Sequence, residues 1–90
     1  MSVYVDALRN YGARIGRLGP WWCHMTADTP DELHAFAAKI GVTRRWAQHV
    51  GRPSEHYDLT ASRRRQAVLA GAIETTARED ARRRRATCAG

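Results

Sequence analysis

The feature that most constrains this chain is the junction at residues 21–41, WWCHMTADTPDELHAFAAKIG. WWCHMTA alternates, so Trp21, Cys23 and Met25 share one side of a strand, and Trp22, His24 and Thr26 the other. Thr29 then stands at an N-cap, Pro30 at the first helical position and Glu32 three residues past the cap, the pattern of a capping box. Asp31 and Glu32 oppose the positive end of the helix dipole. Leu33, Phe36, Ala37 and Ile40 recur at i, i+3, i+4 and i+7, and Gly41 stops the run. The spacing predicts a helix from Pro30 to Ile40 with Leu33, Phe36 and Ile40 buried.

Around that junction the chain reads as alternating short elements. SVYVD is a first strand that ends at Asp6. ALRNYGARIGRLGP, broken by Gly12, Gly16, Gly19 and Pro20, reads as a surface loop. VTRRWAQHVGRPSE is a short strand or an irregular crossing that ends in a GRPS turn. EHYDLT is a third strand, and SRRRQAVLAGA a helix from Thr60 or Ser62 to Gly71. AIETT is a fourth strand. Thr76 with Glu79 is a second capping box, opening a last helix through the arginine run. The order β-β-α-β-α-β-α predicts a small single-domain α/β sandwich, its helices packed on a short sheet. The globular domain is read as residues 1–80 and residues 81–90 as a basic, frayed tail.

Composition bounds the function classes. With 90 residues and 43% apolar content, one modest core is available and dimerisation is an option. No run reaches the roughly 18 apolar residues of a membrane span, and MSVYVDALRN lacks a signal-peptide pattern. Cys23 and Cys88 are isolated, which reads as reduced thiols in a cytoplasm. The formal charge is +6, but residues 78–85 alone hold five arginines against two acids. Such a tail gives non-specific phosphate affinity. Fourteen of the fifteen basic residues are arginine, a bias expected of a GC-rich genome, which weakens each as a clue. Trp21, Trp22 and Trp46 are expected in ordinary core packing; an exposed patch of them would favour a protein partner.

The residues able to carry chemistry are few. On a strand, His56 and Asp58 project from one face with Tyr57 on the other. That pair can bind a metal, act as a base oriented by an acid, or be a hydrogen-bonded pair at a strand end. No single segment has zinc-ligand spacing, so a metal site would have to assemble from His24, His56 and Asp58, with Asp6 or Asp28 added. Cys23 faces away from His24 and is excluded. His34 lies about 110° round the helix from the stripe's centre and reads as an edge histidine bonded to a backbone carbonyl. His49 carries no argument. Arg63, Arg64 and Arg65 crowd a helix start, where cations oppose the dipole. Either an anion docks at Ser62, Arg63 and Arg64, or Asp58 neutralises the turn. Neither standard Gly-rich phosphate loop occurs, and no nucleophile–base arrangement can be argued from Cys23.

MSVYVD, CHMTADTPDELHAFAAKIGV, RRW, HYD and SRRRQAVLAGAIETT together resemble domain of unknown function family 4031, small phage and bacterial proteins. The likeness runs from residue 1 to about residue 80. The family pattern is matched by Asp6 closing the first strand, by His24 with Asp28, and by Glu32, Leu33 and His34. It is matched also by His56, Tyr57 and Asp58, and by Ser62, Arg63 and Arg64. The chain departs from it in ALRNYGARIGRLGPWW, which is longer than the usual form, and in the tail. The resemblance implies a phage or prophage origin, a cytoplasmic site of action, and a polar set (Asp6, His24, His34, His56, Asp58) to be treated together. It brings no established activity.

Three readings follow. The first is a phage accessory protein, a binding or regulatory module with a His/Asp site and a basic surface for nucleic acid or another phosphate-bearing ligand. The second is a metal-dependent phosphoester hydrolase or nuclease, in which His24, His56 and Asp58 hold a divalent ion and Asp6 or His34 assists. The third is a structural or host-protein interaction module. The sequence leaves open whether the protein is an enzyme.

Overall fold

Strand β3 (Trp21–Ala27) is the longest strand, and the rest of the sheet is assembled on it. The computed structural model describes residues 2–11, 19–76 and 78–83. One edge of β3 pairs antiparallel with β4 (Tyr57–Thr60), setting His24 opposite Asp58 and Met25 opposite Tyr57. The other edge takes two short strands in turn: β1 (Val3–Val5) against Met25–Ala27, and β2 (Arg9–Asn10) against Trp21 and Trp22. Strand β5 (Ile73–Glu74) runs parallel to β1 and completes a mixed, five-stranded sheet.

β2 lies within the stretch read from sequence as loop. Arg9 and Asn10 carry no strong strand preference; the unpaired edge of β3 recruits them, and context overrides propensity. Tyr11 N–H closes the hairpin on Pro20 O at 2.7 Å. Gly12 and Gly16 fall outside the described residues, as do Cys88 and the tail beyond Arg83.

Helix α1 (Pro30–Lys39) starts as the capping pattern predicts, with Thr29 Oγ1 accepting from Glu32 N–H at 3.2 Å. The Glu32 carboxylate takes the Thr29 hydroxyl at 3.1 Å instead of the cap's own N–H. Leu33, Ala37 and Ile40 are buried. Phe36 is only half-buried: it lies on the rim of a groove it shares with Ser2, Val3, Lys39 and Gly71. The undecided stretch after α1 contains a 3₁₀ turn at Arg44–Trp46 and a single bridge between Gln48 and His56. Helix α2 (Ala61–Leu69) is capped by Thr60, whose hydroxyl accepts from Arg63 N–H at 3.4 Å. A last helix, α3 (78–83), is capped by Thr76 through Glu79 N–H at 3.0 Å.

Val3, Val5, Cys23, Met25, Tyr57 and Leu59 from the sheet meet Leu33, Ala37, Ile40 and Ala67 from α1 and α2 in one core. Each large side chain there contributes about 1.5–3 kcal/mol, substantial against a total margin of about 5–15. Cys23 is in this core, its thiol pushed up to about 12 by burial. Alternation turns Tyr4, Trp22, His24, Thr26 and Asp58 to the opposite face. Trp21 and Trp46 are not core residues, being 51% and 61% exposed. Among the described residues no helix is long and apolar enough to cross a membrane.

Candidate metal centre

Between β1 and β2 the chain leaves the ladder for three residues, and Asp6 occupies the gap. Its N–H donates to His24 O at 3.1 Å. Its Oδ1 accepts from His24 N–H at 2.6 Å and its Oδ2 lies 3.0 Å from His24 Nδ1. Burial opposes the Asp6 charge, but the ring and backbone bonds from His24 outweigh it and hold the carboxyl below its ordinary value. An ionised carboxylate only accepts, so Nδ1 of His24 carries a proton and donates it, and Nε2 is the ring nitrogen left to face away from Asp6.

The register of β3 with β4 delivers that Nε2 to Asp58, 3.7 Å from Oδ1. His56, two residues before Asp58 on the same side, is set the same way. Its Nδ1 donates to Ser54 O at 2.8 Å, and its Nε2 lies 3.4 Å from Asp58 Oδ1. The two rings meet edge-on with centroids 4.9 Å apart. Gln48 Nε2 donates to Asp58 Oδ2 at 2.7 Å and so leaves Oδ1 turned to the histidines. One donor atom each from His24, His56 and Asp58 lies within 4.8 Å of the others, in a position half-open to solvent.

Chemically, two ring nitrogens and a carboxylate oxygen are aimed at one another, a donor set of the kind that holds a divalent cation. Metal–nitrogen and metal–oxygen distances of about 2.0–2.2 Å require only a modest contraction of the set. Each donor also has an orienting partner behind it (Asp6, Ser54 O, Gln48), the arrangement that fixes tautomer and ring angle in metal sites. Three protein donors on an open face leave positions for water or a ligand, as catalytic rather than structural sites do.

Two further side chains border the site. Tyr11 stands edge-on to His24 at 6.2 Å, its phenol pushed up by burial and then by Asp6, so it stays protonated at neutral pH. His49, marked by no sequence pattern, packs edge-on against His56 at 5.3 Å. It holds a left-handed backbone, φ 55°, and bonds Ser54 through Nδ1 at 2.9 Å. Neither position carries a spacing that sequence reading could use.

Other residues in the expected polar set lie elsewhere. Where a backbone carbonyl was expected, His34 meets two side chains: its Nδ1 lies 2.7 Å from Tyr57 OH and its Nε2 2.6 Å from Glu55 Oε2. Glu55 and Tyr57 flank His56 in sequence but point to α1, so the same segment grips α1 on one side and offers His56 on the other. Asp28 belongs to a separate network. It accepts from Ser2 N–H, Tyr4 OH and Arg83 at 2.8, 3.0 and 3.2 Å. Arg83, in the segment read as a tail, also bonds Thr26 and Asp80 and lies over the Tyr4 ring.

At the start of α2, Thr60 and not Asp58 is the cap. Ser62 Oγ sits 3.5 Å from Thr60 Oγ1. Arg63 donates to Ile40 O at the end of α1, 2.7 Å. Arg64 donates to Asp6 O at 2.8 Å and pairs with Glu74 at 3.1 Å.

No curated protein and no solved structure matches this chain. The family described as protein of unknown function (DUF4031) matches residues 3–87, and the chain belongs to it.

Proposed function

We propose that this DUF4031 protein binds a divalent transition-metal ion on His24, His56 and Asp58 and uses it to act on a phosphoester bond. The observation that carries this reading is the convergence of one donor atom each from His24, His56 and Asp58 within 4.8 Å of one another, while Nδ1 of both rings is bonded to an acceptor outside the cluster. A bound ion would polarise a phosphoryl oxygen and bring a water's pKa towards about 7. Asp6 positions His24, and Gln48 positions Asp58. The excess of 15 basic over 9 acidic residues favours an anionic substrate.

That same charge supports a second reading, a module that binds nucleic acid or another phosphate-bearing ligand without turnover. Exposed Trp21 and Trp46 are what a host-protein partner would use. The setting proposed with all of these is a phage or prophage product in the host cytoplasm, as the family resemblance implies.

Calorimetric titration of zinc and manganese into the wild type and His56→Ala tests the ion. Hydrolysis of bis(4-nitrophenyl) phosphate and of a short oligonucleotide tests the chemistry. Binding that is lost in His56→Ala, with metal-dependent turnover, is the expected result. Binding without turnover favours the second reading, and no binding removes the metal.

A further inference from the structure

Three of the described arginines hydrogen-bond to partners of their own. Arg63 serves the end of α1, Arg64 the backbone of Asp6, and Arg83 two aspartates. Arg9 does not. It is exposed on β2, and its guanidinium makes no hydrogen bond or ion pair among the described residues. Its position is defined by the ladder: Arg9 pairs with Trp22, so its side chain leaves the sheet on the face that carries Trp22 and His24. His24 is the diagonal neighbour on that face, at a Cα separation of about 7–8 Å that a long side chain spans.

We propose that Arg9 is the anion-recognising residue of this centre, gripping the phosphate of a phosphoester ligand whose other oxygen lies on the metal. The inference rests on the metal reading and deepens it. Charge points the same way. A divalent ion is balanced by Asp58 and Asp6, so a phosphodiester adds one uncompensated negative charge, which Arg9 meets. Its planar fork matches two phosphate oxygens, which a point charge does not. The Tyr11 hydroxyl is a donor on the same side, its ring edge-on to His24 at 6.2 Å.

The test uses the full chain loaded with manganese, with inorganic phosphate and bis(4-nitrophenyl) phosphate as probes. Arg9→Ala, Arg9→Lys and, as an exposed control on α3, Arg82→Ala are compared with the wild type. Arg9→Ala should keep its circular dichroism spectrum and its manganese affinity within about twofold. Its phosphate affinity should fall about tenfold to a hundredfold, the loss of a charge-assisted contact. With the diester, KM should rise while kcat changes less, and Arg9→Lys should recover part of the loss. Manganese binding with unchanged phosphate affinity in Arg9→Ala overturns this inference alone. A wild type that binds no manganese overturns it together with the metal reading.

Discussion

Two polar clusters share one face of the sheet, two residues apart along β3, and they are built to opposite rules. At Thr26, donors and acceptors match. Asp28 takes Ser2 N–H, Tyr4 OH and Arg83, and Asp80 takes the Thr26 hydroxyl and Arg83 at 2.7 Å. At His24 the groups converge on an open point, His24 Nε2 and His56 Nε2 both turned to Asp58 Oδ1. The first network fastens α3 to the sheet through bonds among protein groups. The second gathers three metal-ligating atoms at one point, half-open to solvent. Residue types alone would not separate the two, since both are rich in aspartate. The geometry does.

The comparison breaks most visibly at Arg83. Arg83→Ala leaves Asp80, a buried carboxylate, without its guanidinium. Unfolding in urea should show a loss of about 3–5 kcal/mol, and metal should not restore it. An unchanged midpoint would mean that the network is ornamental. Next in size is the metal itself. An ion at about a hundred times its Kd adds about 2.7 kcal/mol, about 10–20 °C in Tm for a domain of this size. The wild type should show that rise, and His56→Ala and chelated protein should not. Equal melting curves in all three would remove the ion.

Asp6→Asn sharpens the contrast within the open cluster. The amide can present its NH₂ to His24 Nδ1 and release the tautomer, so metal affinity should fall by roughly 10–100-fold in a calorimetric titration. Retained affinity would make Asp6 purely structural. The smallest effect is on the acid side. Asp6 and Asp28 are each held below the ordinary 3.8, so the unfolded chain binds their protons first as pH falls. Their stabilisation is complete above about pH 4 and is lost as pH drops through the lower folded values. The stability gap between wild type and Asp6→Asn should therefore narrow below pH 4, and a gap that widens there contradicts the assignment.

What the sequence made legible was local. The start of α1, the alternation of β3 and the shared face of His56 and Asp58 each depend on neighbours within four residues, where periodicity and capping act. The exclusion of Cys23 from the site followed from the same alternation. Legibility ended where a partner came from far along the chain. Asp6 and His24 are 18 positions apart, His34 and Tyr57 are 23 apart, and Arg83 lies 57 from Thr26. His34 lies at the helix edge that its wheel position predicts, but no pattern announces that Glu55 and Tyr57 clamp it. The arginines of SRRR drew attention by their crowding, and two of them serve backbone carbonyls. Arg9 drew none, because nothing before folding placed it opposite Trp22.

The break in the ladder at Asp6 has one more consequence. It pins β3 upstream of the hairpin, and Tyr11 with Pro20 closes the hairpin just beyond β2. With both latches in place, β2 cannot slip along β3 by one residue without breaking the bonds from His24 to Asp6 that set the His24 ring. The register of the ribbon and the orientation of that ring are therefore one constraint, and whatever shifts the first turns the second.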